Sequence, residues 1–88
     1  MKPLNYAILK FFTAVEKASA IEVMDVLRPE YGGFKAFTKG AILDALLTAE
    51  ANGLIESVGS EMSTDNELIL YFKAHKEGAE TINRYITD

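Results

Sequence analysis

Apolar residues recur along the chain in two rhythms, and the change from one to the other divides it. Leu4, Ala7, Ile8, Phe11, Phe12 and Val15 follow spacings of three and four, which predicts an amphipathic helix over residues 3–17 with Pro3 in its first turn. Ser19 and Glu22 stand three apart ahead of Ile21, Val23, Met24 and Leu27. That is the pattern of a capping box, in which a hydroxyl and a carboxylate each satisfy an otherwise unpaired amide. A second helix is expected to start there and to stop at Arg28, because Pro29 pushes the residue before it out of helical backbone. Residues 29–37 form a link containing Gly32 and Gly33, with a brief strand expected over residues 35–37 that would pair with the later hairpin. Helical spacing returns with Ile42, Leu43, Leu46 and Ala49 behind Thr38, a side chain suited to capping.

Gly53 falls where a helix needs a left-handed residue to stop, and Leu54 follows it, placed to fold back on the last turn. The rhythm then changes. Residues 54–58 and 68–74 are strand-like runs separated by a polar stretch led by Gly59, which reads as a hairpin with its tip over residues 59–66. Residues 68–72 are apolar at every position rather than alternating, so cover is expected on both faces of that strand. Ala79, Ile82, Tyr85 and Ile86 return to helical spacing and predict a C-terminal helix.

At 88 residues the chain is expected to form one domain, residues 1–88, with 49% hydrophobic and 25% charged content typical of a globular domain. There is no Cys, and His75 is the sole His, which argues against thiol chemistry, Cys-ligated zinc and His clusters. Gly32-Gly33 lacks the Gly-Lys-Ser/Thr that completes a phosphate loop, and no nucleophile can be paired with a base by spacing. Neither an enzyme nor a cofactor or metal site is expected. Asn5, Tyr6 and Lys10 interrupt the first apolar stretch, so neither a signal peptide nor a membrane-spanning helix is expected, and the expected location is cytoplasmic.

Leu46, Ala49, Glu50, Gly53, Leu54 and Ile55 resemble the end of the recognition helix in winged-helix regulators of the MarR and PadR kind, where L-x-x-L-E-x-x-G-L-I leads into the wing. Residues 71–78, from Tyr71 to Gly78, resemble the Y-x-L-T-x-x-G passage of that family, with His75 where the pattern has Thr. His is the weaker cap, so a frayed or displaced last helix is expected. A further departure is the link over residues 29–37, longer than the tight turn of a simple helix-turn-helix. The resemblance runs over nearly the whole chain in element order. It implies an α+β winged helix, namely a three-helix bundle with a β-hairpin wing and a C-terminal helix. It further implies a transcriptional regulator that binds duplex DNA as a homodimer through the N-terminal part of the third helix.

Charge pulls the other way. The net charge is −4, and between Gly40 and Phe72 there is no Lys or Arg, while Asp44, Glu50, Glu56, Glu61, Asp65 and Glu67 all fall there. Stepping 100° per residue, Ile42, Leu46 and Ala49 face the core and Ala41, Asp44, Ala45 and Thr48 face outward as the candidate readers. None of these is the Arg, Lys, Asn or Gln that usually reaches base edges. Lys35, Thr38 and Lys39 are candidates to hold a phosphate at the helix N-terminus, which positions without specifying sequence. Arg28, Lys35 and Lys39, interleaved with Tyr31, Phe34 and Phe37, either clamp a backbone or ligand or pack and solvate a loop. The acidic tip is either a solvated loop or a docking site for a basic partner. Phe11, Phe12, Tyr85 and Ile86 are candidates for a dimer interface, the alternative being the core of the single chain. Two functions therefore stand: a DNA-binding regulator, favoured by fold analogy, and a protein-interaction module of the same fold without DNA affinity, favoured by the charge map.

Overall fold

The computed structural model describes residues 1–87. They form α1 (Leu4–Phe11), α2 (Ala20–Tyr31), α3 (Lys39–Ala51), β1 (Glu56–Met62), β2 (Leu68–Lys73) and α4 (Lys76–Tyr85). This is an α+β arrangement of four helices and one antiparallel hairpin among the described residues, compatible with a winged helix.

Local signals set most of the helix boundaries. The Ser19 hydroxyl accepts from the Glu22 amide at 3.3 Å and the Glu22 carboxylate accepts from the Ser19 amide at 3.0 Å, so the capping box works in both directions. Thr38 caps α3 by accepting from the Ala41 amide at 3.2 Å. At its far end Gly53 takes φ +76°, and the amides of Gly53 and Leu54 close on the carbonyls of Glu50 and Ala49, both at 3.0 Å. These two bonds make the Schellman stop that Gly53 and Leu54 predict.

Other boundaries differ from expectation, some through local bonds and some through distant contacts. α1 ends at Phe11, short of residue 17, where the Thr13 hydroxyl donates to the Lys10 carbonyl at 2.7 Å and the amides of Thr13 and Ala14 make three-residue turns. α2 does not stop at Arg28 but runs through Pro29 to Tyr31. The proline removes one helical amide and crowds the preceding turn. Beyond it, however, Tyr31 is only 2% exposed, and its phenol donates to the Lys2 carbonyl at 2.5 Å, which ties the end of α2 to the start of the chain. Residues 35–37 form no strand: the amides of Phe37 and Thr38 are used in turns to Phe34 and Ala36. The third strand position is taken by Ala18, which exchanges two backbone bonds of 2.9 Å with Phe72.

The core gathers Ile8, Phe12, Val23, Ile42, Leu46 and Phe72. The hairpin leaves it at Ile55 and returns at Phe72. Its first strand runs on to Met62, beyond the expected residue 58, because Gly59 sits at a bulge within β1 instead of leading the tip, while the second ends at Lys73, one residue short of the expected 74. The tip is residues 63–67, where the Ser63 hydroxyl accepts from the amides of Asp65 and Glu67 at 3.2 and 3.1 Å and Asn66 turns left-handed at φ +62°. Cover on both faces of β2 is not found: Phe72 is buried, but Leu68, nearest the tip, is 61% exposed.

α4 starts crisply at Lys76, contrary to the expected fraying. His75 Nδ1 accepts from the Gly78 amide at 3.0 Å and its Nε2 lies 3.0 Å from the Gly53 carbonyl, a pairing that calls for the tautomer with the proton on Nε2. The second bond compensates for the weaker cap. Gly78 packs directly on the Leu54 backbone. Lys10 Nζ donates to Asn83 Oδ1 at 2.7 Å and to the Ile86 carbonyl at 2.9 Å, joining α1 to α4. No helix among the described residues is long and apolar enough to cross a membrane.

Candidate functional site

The helical spacing places the candidate readers on the outer surface of α3, beside the hairpin. Ile42, Leu46 and Ala49 are buried as the helical spacing predicts. The opposite side is turned by about one position from the expected set. Asp44 and Thr48 are exposed, whereas Ala41 and Ala45 are half-buried, and Ala45 packs against the core beneath α1. Leu47, which the outward set did not include, is 41% exposed. Ala45 packs against the core at the floor of a cleft that opens toward α1, and Leu43 lines a cleft toward the hairpin, whereas Leu47 lines neither.

Thr38 spends its side chain on capping. Lys39, the sole cation of α3, forms an ion pair of 2.9 Å with Glu67 of the hairpin, both side chains more than half exposed. The ammonium holds the Glu67 carboxyl below its ordinary pKa, by hydrogen bond first and by charge second. The hairpin thus neutralises the cation best placed for a phosphate. Lys35 is exposed on the link and has no ion-pair partner among the described residues. Arg28 pairs with Asp25 at 3.0 Å and lies 5.8 Å from the Phe37 ring centre. Tyr31 and Phe34 meet edge to face at 5.1 Å. The aromatics of the link are therefore largely packing, with Phe34 still 44% exposed.

On the hairpin's outer face the Tyr71 phenol donates to Glu61 at 2.6 Å, and Lys17 Nζ lies 5.1 Å from the Tyr71 ring centre. The hydrogen bond to Glu61 raises the Tyr71 pKa, with smaller contributions from partial desolvation and from the charges of Glu61 and Glu22. Two shallow clefts flank α3. One, of about 190 Å³, lies toward α1 and takes Ala45, Thr48 and Asn52 in its wall with Asn5. The other, of about 200 Å³, lies toward the hairpin and is lined by Ile21, Lys39, Leu43, Leu68 and Leu70.

The dimer candidates separate. Phe12 is 1% exposed and Ile86 5%, so both are spent on the core of the single chain. Phe11 is half-buried and stacks edge-on against Phe12 at 5.7 Å, while Tyr85 is 77% exposed. Only Phe11 and Tyr85 of the four retain surface for a second copy. The exposed apolar side chains Ile21, Leu47, Met62 and Leu68 were not among the candidates. For Leu68 the unbroken apolar run of β2 was a signal; for the others solvent exposure depends on which elements meet, which no local pattern encodes.

No protein-family model matches the chain, and no curated protein matches it.

Proposed function

We propose that the chain is a winged-helix domain of the transcription-regulator kind, in which the face formed by α3 and the hairpin docks a protein partner rather than reading DNA. The order of three helices, hairpin and last helix supports the winged helix, as do the Ala18–Phe72 bridge and the Gly53 stop. The Lys39–Glu67 ion pair carries the functional proposal. A helix that reads a groove presents cations or amides outward. Here its one cation is bound by a carboxylate of the wing, and the exposed positions are Asp44, Leu47 and Thr48. Acidic Glu61, Asp65 and Glu67 on the hairpin oppose phosphate.

A second reading is favoured by a separate observation: Lys35 is exposed and unpaired among the described residues, beside the Thr38-capped N-terminus of α3. In that reading the domain is a DNA-binding transcriptional regulator, a homodimer using Phe11 and Tyr85, that grips duplex DNA by phosphate contacts. Fluorescence anisotropy with a mixed-sequence duplex over a salt series decides between them. The protein-docking proposal expects no binding at high micromolar protein and low salt. Saturable binding that weakens steeply with salt, and that Lys35→Ala reduces, would replace it with the DNA reading. Light scattering at micromolar concentration that returns only a 9.7 kDa species would remove the homodimer.

A further inference from the structure

The free edge of β2 carries an open set of backbone hydrogen-bonding groups. Ala18 and Phe72 exchange two bonds, amide to carbonyl each way, at 2.9 Å. In an antiparallel ladder every second residue directs its backbone groups to the same edge. The amides and carbonyls of Leu70 and Leu68 therefore point to the edge that Phe72 uses. A strand continuing from Ala18 would set residue 20 against Leu70 and residue 22 against Leu68, but the Ser19 cap turns the chain into α2 at Ala20. Along Leu70 and Leu68 this edge has no strand partner among the described residues.

The cleft of about 200 Å³ lies against that edge and is lined by Ile21, Leu43, Leu68 and Leu70, with Lys39, paired to Glu67, also in its lining. Met62 stands directly across from Leu68 and so shares its face. Ile21, Met62 and Leu68 are 44, 59 and 61% exposed. Open edges beside apolar side chains invite pairing, and sheets normally guard them with Lys or Pro. β2 has neither between Leu68 and Phe72, and β1 has neither at all. The opposite face of the hairpin carries Glu61 on Tyr71 and Glu56 across from Lys73, and Glu22 is close enough to act on the same phenol, so three carboxylates there face two cations, Lys73 and the Lys17 that lies over the ring.

We infer that the β2 edge takes an extended segment of a partner protein in which apolar side chains alternate with Lys or Arg. The segment adds a strand by bonding the backbone of Leu70 and Leu68. Its apolar side chains enter the cleft between Ile21 and Leu68, and its cations turn to the face that holds Glu61 and Glu22. Strand addition of this kind draws affinity from main-chain bonds and specificity from alternate side chains. The inference rests on the protein-docking proposal and names the chemistry of the partner.

The test is selection of a random 12-residue peptide library displayed on phage against the full chain, followed by amide exchange of the chain with and without each selected peptide. Peptides alternating apolar and basic residues are expected, and they should slow exchange at Leu68 and Leu70. Leu68→Pro removes one edge donor at the first residue of the strand without touching the bonds to β1. It should weaken binding by about tenfold more than Leu68→Ala, which keeps the amide. Melting curves for both variants establish that they fold. Absence of enrichment, unchanged exchange at Leu68 and Leu70, or equal loss in the two variants would each overturn the inference. So would protection of those amides that rises with the chain's own concentration, which would assign the edge to a second copy. Peptides that map instead to Asp44 and Leu47 would sink the edge inference and leave the docking proposal standing; no peptide together with duplex binding would sink both.

Discussion

Gly78→Ala and Gly40→Ala are the same chemical change in the first turn of two helices, and the structure assigns them opposite signs. A methyl at Gly40 meets nothing within 4 Å, so the substitution only removes backbone freedom from the unfolded chain and should stabilise by about 0.5–1 kcal/mol. A methyl at Gly78 would fall inside the van der Waals envelope of the Leu54 carbonyl oxygen, 2.9 Å from its carbon and 3.3 Å from the Leu54 Cα. Favourable carbon contacts begin near about 3.5 Å, and the obstacle is backbone, which cannot rotate away. The methyl would lie 2.0 Å from that oxygen, so α4 must lift from the Gly53-Leu54 turn by about 1 Å to reach an ordinary contact, stretching both bonds of His75. Overpacking of this kind costs about 1–3 kcal/mol, more than the intrinsic gain of up to about 1 kcal/mol for replacing a helical Gly. With the cap weakened as well, a net loss of about 1–3 kcal/mol follows. At about 4–8 °C per kcal/mol for a domain of this size, Gly78→Ala should melt on the order of 10 °C lower, and Gly40→Ala a few degrees higher. Circular dichroism melts with urea titrations at constant m-value measure both. If Gly78→Ala melted at or above the parent, the close packing of α4 on the turn would be refuted.

His75→Ala should destabilise by about 1 kcal/mol and His75→Thr by less, because Thr restores the cap but not the bond to Gly53; equal melting points for Thr and His would remove that second bond from the account. Lys39→Ala should return the Glu67 carboxyl upward toward the ordinary range in an NMR titration. The pair's contribution to stability is present above the ordinary carboxylate pKa and lost as pH falls through the lowered value, so an unmoved Glu67 would contradict the pairing. Tyr71 should ionise above the ordinary tyrosine range by absorbance titration and come down in Glu61→Gln. The stability it contributes is present below the ordinary pKa and lost as pH rises through the raised one; an unchanged titration would count against the 2.6 Å bond. Glu67→Gln releases Lys39, and under the DNA reading alone it should tighten duplex binding and steepen the salt slope by about one.

What could be read from the sequence is what is written within a few residues. Ser19 with Glu22, Thr38 before Ile42, and Gly53 before Leu54 each carry their partner close by, and each boundary stands where they put it. Pro29 misleads because the burial of Tyr31 against Lys2 bridges 29 residues and outweighs it. The third-strand position misleads for the same reason, since Ala18 meets Phe72 across the whole fold. At the candidate site, helical spacing identifies the buried face of α3 correctly. It cannot say which flank the core will reach, and so it exchanges Ala45 for Leu47. The quenching of Lys39 by Glu67, 28 positions away, has no local signature at all.

The clamp at the base of the hairpin has an evolutionary consequence. His75 bonded to Gly53 and Gly78 seated on Leu54 hold the two ends of residues 55–74 together independently of what lies between them. Lengthening a closed loop costs only about 0.6 kcal/mol per doubling. Residues 60–69 therefore behave as a cassette, free to acquire, lose or exchange binding determinants while the helices keep their register. Under the docking proposal, what the domain binds is rewritten in that insert alone, at little cost to the helical framework.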